Sequence, residues 1–355
     1  NGKTLFNQAK EFKVKNVIIS NTEKNKYWIA KFHNKKIRTF DNFSKFDKIF
    51  NKKIDHVING ISGLDGLKPT LNIIKHTNKI AIANKESIIC GWNLILKELK
   101  LNNTKFIPLD SEHFSLNKLL KNYNNKDVKK IIITASGGPF LNKKINNKKI
   151  KIKEALKHPN WKMGKKITID SSTLMNKVFE VIEAKKIFNI ELNKIQILIN
   201  PNSYIHAIII INNGTIKFLA HENKMDIPIY NSIFEDSSNN HYKNNYLNLK
   251  KLNNLNLLKP DTKKFNLLKI LKLIPQKDSL FETVVISVND ELVNKFLNKE
   301  IDYKNISYYL MKIINFKKLK KYCKVKPKTI KQIIEVRNLA RLTTNEFINK
   351  LNLYN

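Results

Sequence analysis

Several polar clusters, each directly behind a short apolar run, hold the residues best suited to chemistry. The acidic cluster is Asp110-Ser111-Glu112, behind Phe106-Ile107. In extended backbone alternate side chains share a face, so these two carboxylates can converge on one cation. A hard divalent ion such as Mg²⁺ or Mn²⁺ takes oxygen ligands, usually few carboxylates plus water or substrate oxygens. Glu180 is the candidate third ligand. It lies in a helical stretch expected over 173–188, with Ser171 or Ser172 as its cap. There Thr173, Asn176, Lys177, Glu180 and Glu183 form one polar stripe at i, i+3 and i+4 spacings. Leu174 and Val178 line one side of it, Met175, Phe179 and Ile182 the other. Apolar flanks on both sides point to a packed helix whose polar groups need partners, a solvated face being the alternative.

A second set suits an anion. Ser136-Gly137-Gly138 follows Ile131-Ile132-Ile133 and offers a hydroxyl and backbone N–H groups, or else a plain tight turn. Ser171 is expected at a helix N-terminus, where the dipole favours negative charge, with Asn176 and Lys177 one turn on. Lys85, behind the run Ile80–Ala83, is a candidate phosphate or carbonyl partner, or one surface lysine among many. The loop His158-Pro159-Asn160-Trp161-Lys162-Met163-Gly164 is polar and turn-forming yet carries a large indole, which suits a lid that excludes water or a loop packed on its own domain. His206, inside an Ile-rich strand, suits a pocket wall better than a metal ligand.

The elements that must position these residues alternate. Val17–Ile19, Val57-Ile58, Ile80–Ala83, Phe106-Ile107, Ile131–Ile133 and Ile167–Ile169 read as strands, with amphipathic helical segments over 67–76, 90–100 and 116–123. Strands alternating with helices predict a mostly parallel sheet. Ligands of open parallel sheets bind outside the strands' carboxyl ends, where the polar clusters recur. Beyond Lys194, 195–199 and 205–219 read as strands, the second broken by the hairpin signal Asn212-Asn213-Gly214. Residues 235–264, rich in Asn, Lys and Ser, read as a linker, and 265–355 as helices, notably 283–297, 306–316 and 328–350.

Composition bounds the reading. The chain has 355 residues and a formal net charge of +37, with 42% hydrophobic residues, which supports ordinary cores. Its arginines are Arg38, Arg337 and Arg341, and its lysines are spread among Asn and Ile throughout. Specific nucleic-acid readers favour arginine for bidentate contacts, so the charge reads as a diffuse surface and no specific nucleic-acid partner is expected. No apolar run approaches the roughly 18 residues of a membrane span. Cys90 and Cys323 cannot make a disulfide framework and suggest a reducing compartment.

The runs Ala83-Asn84-Lys85-Glu86-Ser87, Leu109-Asp110-Ser111-Glu112-His113, Ser136-Gly137-Gly138-Pro139-Phe140, 158–164 and 170–177, in that order and with Glu180, closely resemble the 1-deoxy-D-xylulose 5-phosphate reductoisomerase family. The resemblance implies an α/β chain: a doubly wound NADPH-binding domain over 1–110, a catalytic α/β domain over 111–234, the linker, and a C-terminal helical bundle over 265–355, in a homodimer of the bacterial cytoplasm or plastid stroma. It implies Mg²⁺ or Mn²⁺ on Asp110, Glu112 and Glu180, and substrate contacts from Lys85, Ser111, Glu112, Ser136, His158, Ser171, Asn176, Lys177 and His206. Trp161 and Met163 would ride on the lid, and Gly2, Lys3, Asn84, Glu86 and Gly164 would meet NADPH, Gly2-Lys3 in a turn. Lys85, Asp110, Glu112, His158 and Glu180 are the expected catalytic set. The family's opening strand and loop, of the kind G-x-T-G-x-x-G, are not matched here, so the NADPH domain is expected to be truncated at its N-terminus. Val178, Asn200 and Asn223-Lys224 are smaller departures. A sugar-phosphate isomerase or aldolase lacking the redox half, or a basic binding module with a decayed site, are the alternatives.

Overall fold

The computed structural model describes residues 1–143, 150–234, 242 and 247–352. Residues 235–241 and 243–246 of the expected linker lie outside these. The first half is built of parallel pairs with helical crossovers, as continuous apolar strands require. In chain order it runs α1 (Gly2–Glu11), β1 (Asn16–Ile18), α2 (Lys26–Asn34), β2 (Arg38–Phe40), α3 (Phe46–Ile49), β3 (Ile54–Asn59), α4 (Leu67–Ile74), β4 (Thr77–Ile82), α5 (Lys85–Leu101) and β5 (Lys105–Pro108). Strand β1 pairs with β2, and β3-β4-β5 form a second sheet, all parallel.

The middle contains α6 (Ser111–Leu120), β6 (Val128–Ala135), α7 (Ile152–Ala155), α8 (Lys165–Ser172), α9 (Met175–Phe188), β7 (Ile195–Ile199), β8 (Ile205–Ile211), β9 (Ile216–Ala220) and α10 (Asp226–Phe234). Its sheet has the order β7-β6-β8-β9, with β6 and β7 parallel and β8 and β9 antiparallel. The β8–β9 turn is the expected hairpin, with Gly214 at φ +88°. Then follow α11 (Leu249–Asn253), α12 (Phe281–Leu297), α13 (Tyr303–Ile313), α14 (Lys317–Lys320) and α15 (Ile330–Asn352). The three long helices match the sequence expectation to within a few residues. The main apolar core threads all of these regions, through Ile80 and Ile95, Ile131 and Phe179, and Val284 and Ile333. Each such side chain taken fully out of water is worth about 1.5–3 kcal/mol.

Four expectations need correction. Ile167-Thr168-Ile169 is not a strand but lies within α8, where packing of Ile169 and Thr168 into the interior outweighs β-branched propensity. The helix expected over 173–188 begins at Met175, after Leu174 in the left-handed region at φ +58°, so neither Ser171 nor Ser172 caps it and both belong to the end of α8. Gly2 and Lys3 form no turn. They open α1, capped by the Asn1 side chain. Finally, the described part of 235–264 is not bare linker: it contains α11, and Leu258 bridges to Ile199. Strand β2 was not read from the sequence, since three half-exposed residues carry little pattern.

Candidate active site

Thirteen expected site residues line one cavity of about 320 Å³: Lys85, Asp110, Ser111, Glu112, Ser136, His158, Trp161, Met163, Ser171, Asn176, Lys177, Glu180 and His206. It opens at the carboxyl ends of β4, β5 and β6, where an open parallel sheet leaves backbone free to meet a ligand. The acids arrive from two directions. Asp110 sits at the N-cap position of α6 with Glu112 in its first turn, so they converge across a strand-to-helix junction rather than along extended backbone. Glu180 comes from α9, whose polar stripe is buried: Glu180 and Glu183 are each 1% exposed. The solvated-face alternative is thereby set aside. Asp110, Glu112 and Glu180 each offer an oxygen within 4.8 Å of the others.

Two ammonium groups lie among these acids. Lys85 Nζ is 2.6 Å from Asp110 Oδ2 and 3.1 Å from Glu180 Oε1, and donates to Asn176 Oδ1 at 2.8 Å. Lys177 Nζ is 2.7 Å from Glu112 Oε1 and also pairs with Glu180. Lys85 heads α5 because Asn84 caps that helix, accepting from the Ser87 N–H. Burial alone would lower both lysines, but the surrounding carboxylates outweigh it and raise them. Burial also works against Asp110, yet Lys85 and His113 hold it well below the usual range. Burial and Glu180 push Glu112 up to about 7.

The same cavity is lined by a hydroxyl cluster. His158 Nδ1 accepts from the backbone N–H groups of Asn160 at 3.2 Å and Trp161 at 2.9 Å. Its single proton therefore sits on Nε2, which lies 3.0 Å from both Ser136 Oγ and Ser171 Oγ. Burial lowers this imidazole to about 4, so it is neutral near pH 7. Gly138 makes the cluster possible: it adopts φ +66°, and a Cβ there would lie 2.9 Å from the Ser171 carbonyl oxygen. That close approach brings the two serines together.

Trp161 meets the His206 ring edge-on at 6.3 Å, and His206 stacks on His221 with centroids 3.7 Å apart. Burial, then His221, keeps His206 well below its usual range, as a neutral wall. Ser203 and Met225 also line the cavity. Neither was singled out in the sequence; Ser203 follows Pro201-Asn202 at φ +52°, a turn signal without a chemical one.

The residues expected to meet NADPH do not line this cavity. Asn84 is buried, its amide donating to Ile61 and Gly63 carbonyls. Glu86 pairs with Lys166 at 2.8 Å. Gly164 is the N-cap of α8 with open space around its Cα. Gly2 packs on Trp28, far along the chain from the acids.

Family models described as 1-deoxy-D-xylulose 5-phosphate reductoisomerase match residues 1–91, and those for its C-terminal domains match 106–188 and 222–343. A protein of that name from Pelagibacter ubique is 52% identical over 349 residues, spanning 96% of this chain and 89% of that protein. The chain belongs to the 1-deoxy-D-xylulose 5-phosphate reductoisomerase family. The Aquifex aeolicus reductoisomerase is 33% identical over 96% of this chain and 87% of its own length. Among solved structures, a reductoisomerase in complex with NADPH, fosmidomycin and magnesium superposes with a TM-score of 0.88 at 26% identity, covering 99% of this chain and 90% of that one. The Zymomonas mobilis reductoisomerase in complex with NADPH gives 0.85 at 27% identity, over 98% and 89%.

Proposed function

We propose that this chain converts 1-deoxy-D-xylulose 5-phosphate into 2-C-methyl-D-erythritol 4-phosphate, with NADPH as reductant and Mg²⁺ or Mn²⁺ on Asp110, Glu112 and Glu180. The observation that carries it is that a three-carboxylate, two-lysine cluster and a Ser136–His158–Ser171 cluster line one and the same cavity. The donor set fits a divalent ion: oxygen ligands only, with two lysines leaving three carboxylates one net negative charge. When bound, the ion supplies Lewis acidity to adjacent substrate oxygens, and NADPH supplies the hydride.

The chain's own residues do the rest. Ser136, Ser171 and the Nε2–H of His158 donate to the phosphate, with Asn176 and Lys177 at its edge. A neutral imidazole whose Nδ1 is already satisfied can only donate from Nε2, which suits a group made of acceptors. The phosphate is remote from the rearranging carbons, so its binding energy serves orientation and lid closure. Lys85 and Ser111 face the carbon skeleton, Trp161 and Met163 cover it, and His206 backs the lid. Exclusion of water strengthens each of these polar contacts.

The reading extends to organisation. Residues 1–110 form the NADPH domain, with Gly2, Lys3, Asn84, Glu86 and Gly164 near the cofactor; 111–234 carry the site; 265–355 form the bundle. A homodimer is supported by β9, an edge strand exposing Ile216 and Phe218, since such edges seek a partner. The setting is the bacterial cytoplasm or a plastid stroma; among the described residues no helix is long and apolar enough to cross a membrane.

The test is NADPH oxidation by the full-length protein, followed at 340 nm (about the nicotinamide band). Oxidation requiring both the sugar phosphate and the divalent ion is expected. Isomerised product without NADPH consumption would select the redox-deficient reading, and no turnover with all three present would reject the proposal.

A further inference from the structure

A second group shares Asp110 with the cavity lining: Asp110, His113 and Glu183 each present an atom within 4.8 Å of the others, and neither His113 nor Glu183 lines the cavity. His113 is fully buried on α6, and Glu183 stands one turn along α9 from Glu180. The His113 Nε2 lies 2.9 Å from the main-chain oxygen of Glu180, so that nitrogen carries a proton and donates. The other nitrogen, Nδ1, faces Glu183 Oε2 at 3.5 Å and Asp110 Oδ1 at 3.9 Å. The Phe188 ring lies parallel to the imidazole, 6.3 Å away. One ring therefore touches two of the three acids in different ways, the side chain of Asp110 and the backbone that carries Glu180.

We propose that Glu183 is a positioning residue for the divalent-ion site: through the His113 ring it fixes the Asp110 carboxylate and the main chain at Glu180. The inference rests on reading Asp110, Glu112 and Glu180 as the ion's ligands. A carboxylate this deeply buried is retained at a cost of several kcal/mol unless it is paired, and the pairing runs through His113 toward the acid cluster. Carboxylate–imidazole contacts that orient a ligand typically govern 10–100-fold of metal affinity. A second ion held by Asp110, His113 and Glu183 themselves is the rival reading. It is disfavoured because His113 and Glu183 have no part in the cavity lining.

The experiment is a Mn²⁺ titration of the full-length protein followed by electron paramagnetic resonance, without substrate, alongside thermal melting. Glu183→Gln keeps the shape and replaces the carboxyl by an amide. Its Mn²⁺ dissociation constant should rise about 10–100-fold with one ion still bound per chain. The Mn²⁺ concentration giving half-maximal turnover should rise by the same factor, and kcat at saturating Mn²⁺ should return close to wild type. An unchanged dissociation constant in a folded Glu183→Gln protein would overturn the proposal. So would two ions in the wild type with one lost in the variant, which would assign the group to an ion. Should Glu183→Gln fail to fold, Glu183→Asp keeps the carboxyl but draws it back by one methylene, and the same rise is expected; unchanged affinity there overturns the role. A wild type that binds no Mn²⁺ would defeat the ligand assignment as well.

Discussion

Glu180 is where the chemistry of single residues meets: Lys85, Lys177 and Asn176 all contact its carboxylate, and His113 its main chain. Glu180→Gln keeps every one of these neighbours but removes the charge. Activity should fall by more than the roughly 10–100-fold typical of residues that only support a metal ligand, with Mn²⁺ dependence shifted and the melting temperature little changed. Unaltered metal dependence would return Glu180 to a purely structural role. Residue types were legible here because each stands in a polar cluster behind an apolar run. Their geometry was less so. Asp110 and Glu112 converge, but through a strand-to-helix junction that alternation along a strand does not describe. The cofactor expectations for Asn84 and Glu86 came with resemblance, and their side chains are committed within the protein, to the β3–α4 loop and to Lys166.

Elements carry the site through two close contacts. Gly138, at φ +66°, lets the loop after β6 press against the end of α8. Gly138→Ala adds a strained backbone of about 1–2 kcal/mol and pushes Ser171 from Ser136. The KM for the sugar phosphate should rise about tenfold while Mn²⁺ affinity stays as it was; equal KM values would show that the serines do not act together. The second contact is a buried ionic node in which Lys166 of α8 meets Glu86 of α5, Asp170, and Asp290 of α12. It lies one residue in sequence from Lys85 and Ser171. Burial pushes Asp290 up from 3.8 to about 6, Lys166 only partly opposing this. A folded-state value above the unfolded one means that the contribution of this carboxyl is fully present below about 3.8 and is lost as pH rises through about 6. Relative to Asp290→Asn, the wild type should lose about 2 kcal/mol of unfolding free energy between pH 4 and pH 6.5, read by urea titration; a constant difference would contradict it. No periodicity signals such a node, because its members lie in three elements far apart in the chain. Likewise, Ile167–Ile169 looked like a strand since three residues carry β propensity but no tertiary context.

At the level of the whole molecule, the lysines behind the +37 charge are spread along the sequence, while thirteen expected site residues gather at one cavity. The α/β order, the hairpin and the three long C-terminal helices were legible because each spans many residues of one period. The division into separate sheets was not, since pairing partners are set by packing. The exposed edge at β9 belongs to this scale. If the proposed homodimer pairs through this edge, Phe218→Lys lowers the sedimentation coefficient from that of a dimer to that of a monomer, as a charge on an edge strand opposes pairing. An unchanged sedimentation coefficient would remove β9 from the proposed interface.

The two lysines seated among three acids carry a consequence for the order of arrival. A divalent guest competes with ammonium groups already at home there, and a displaced Lys177 is free to reach for an incoming oxyanion. Cation and phosphorylated sugar should therefore recruit one another. Because such coupling is reciprocal, the factor by which the sugar tightens the ion must equal the factor by which the ion tightens the sugar.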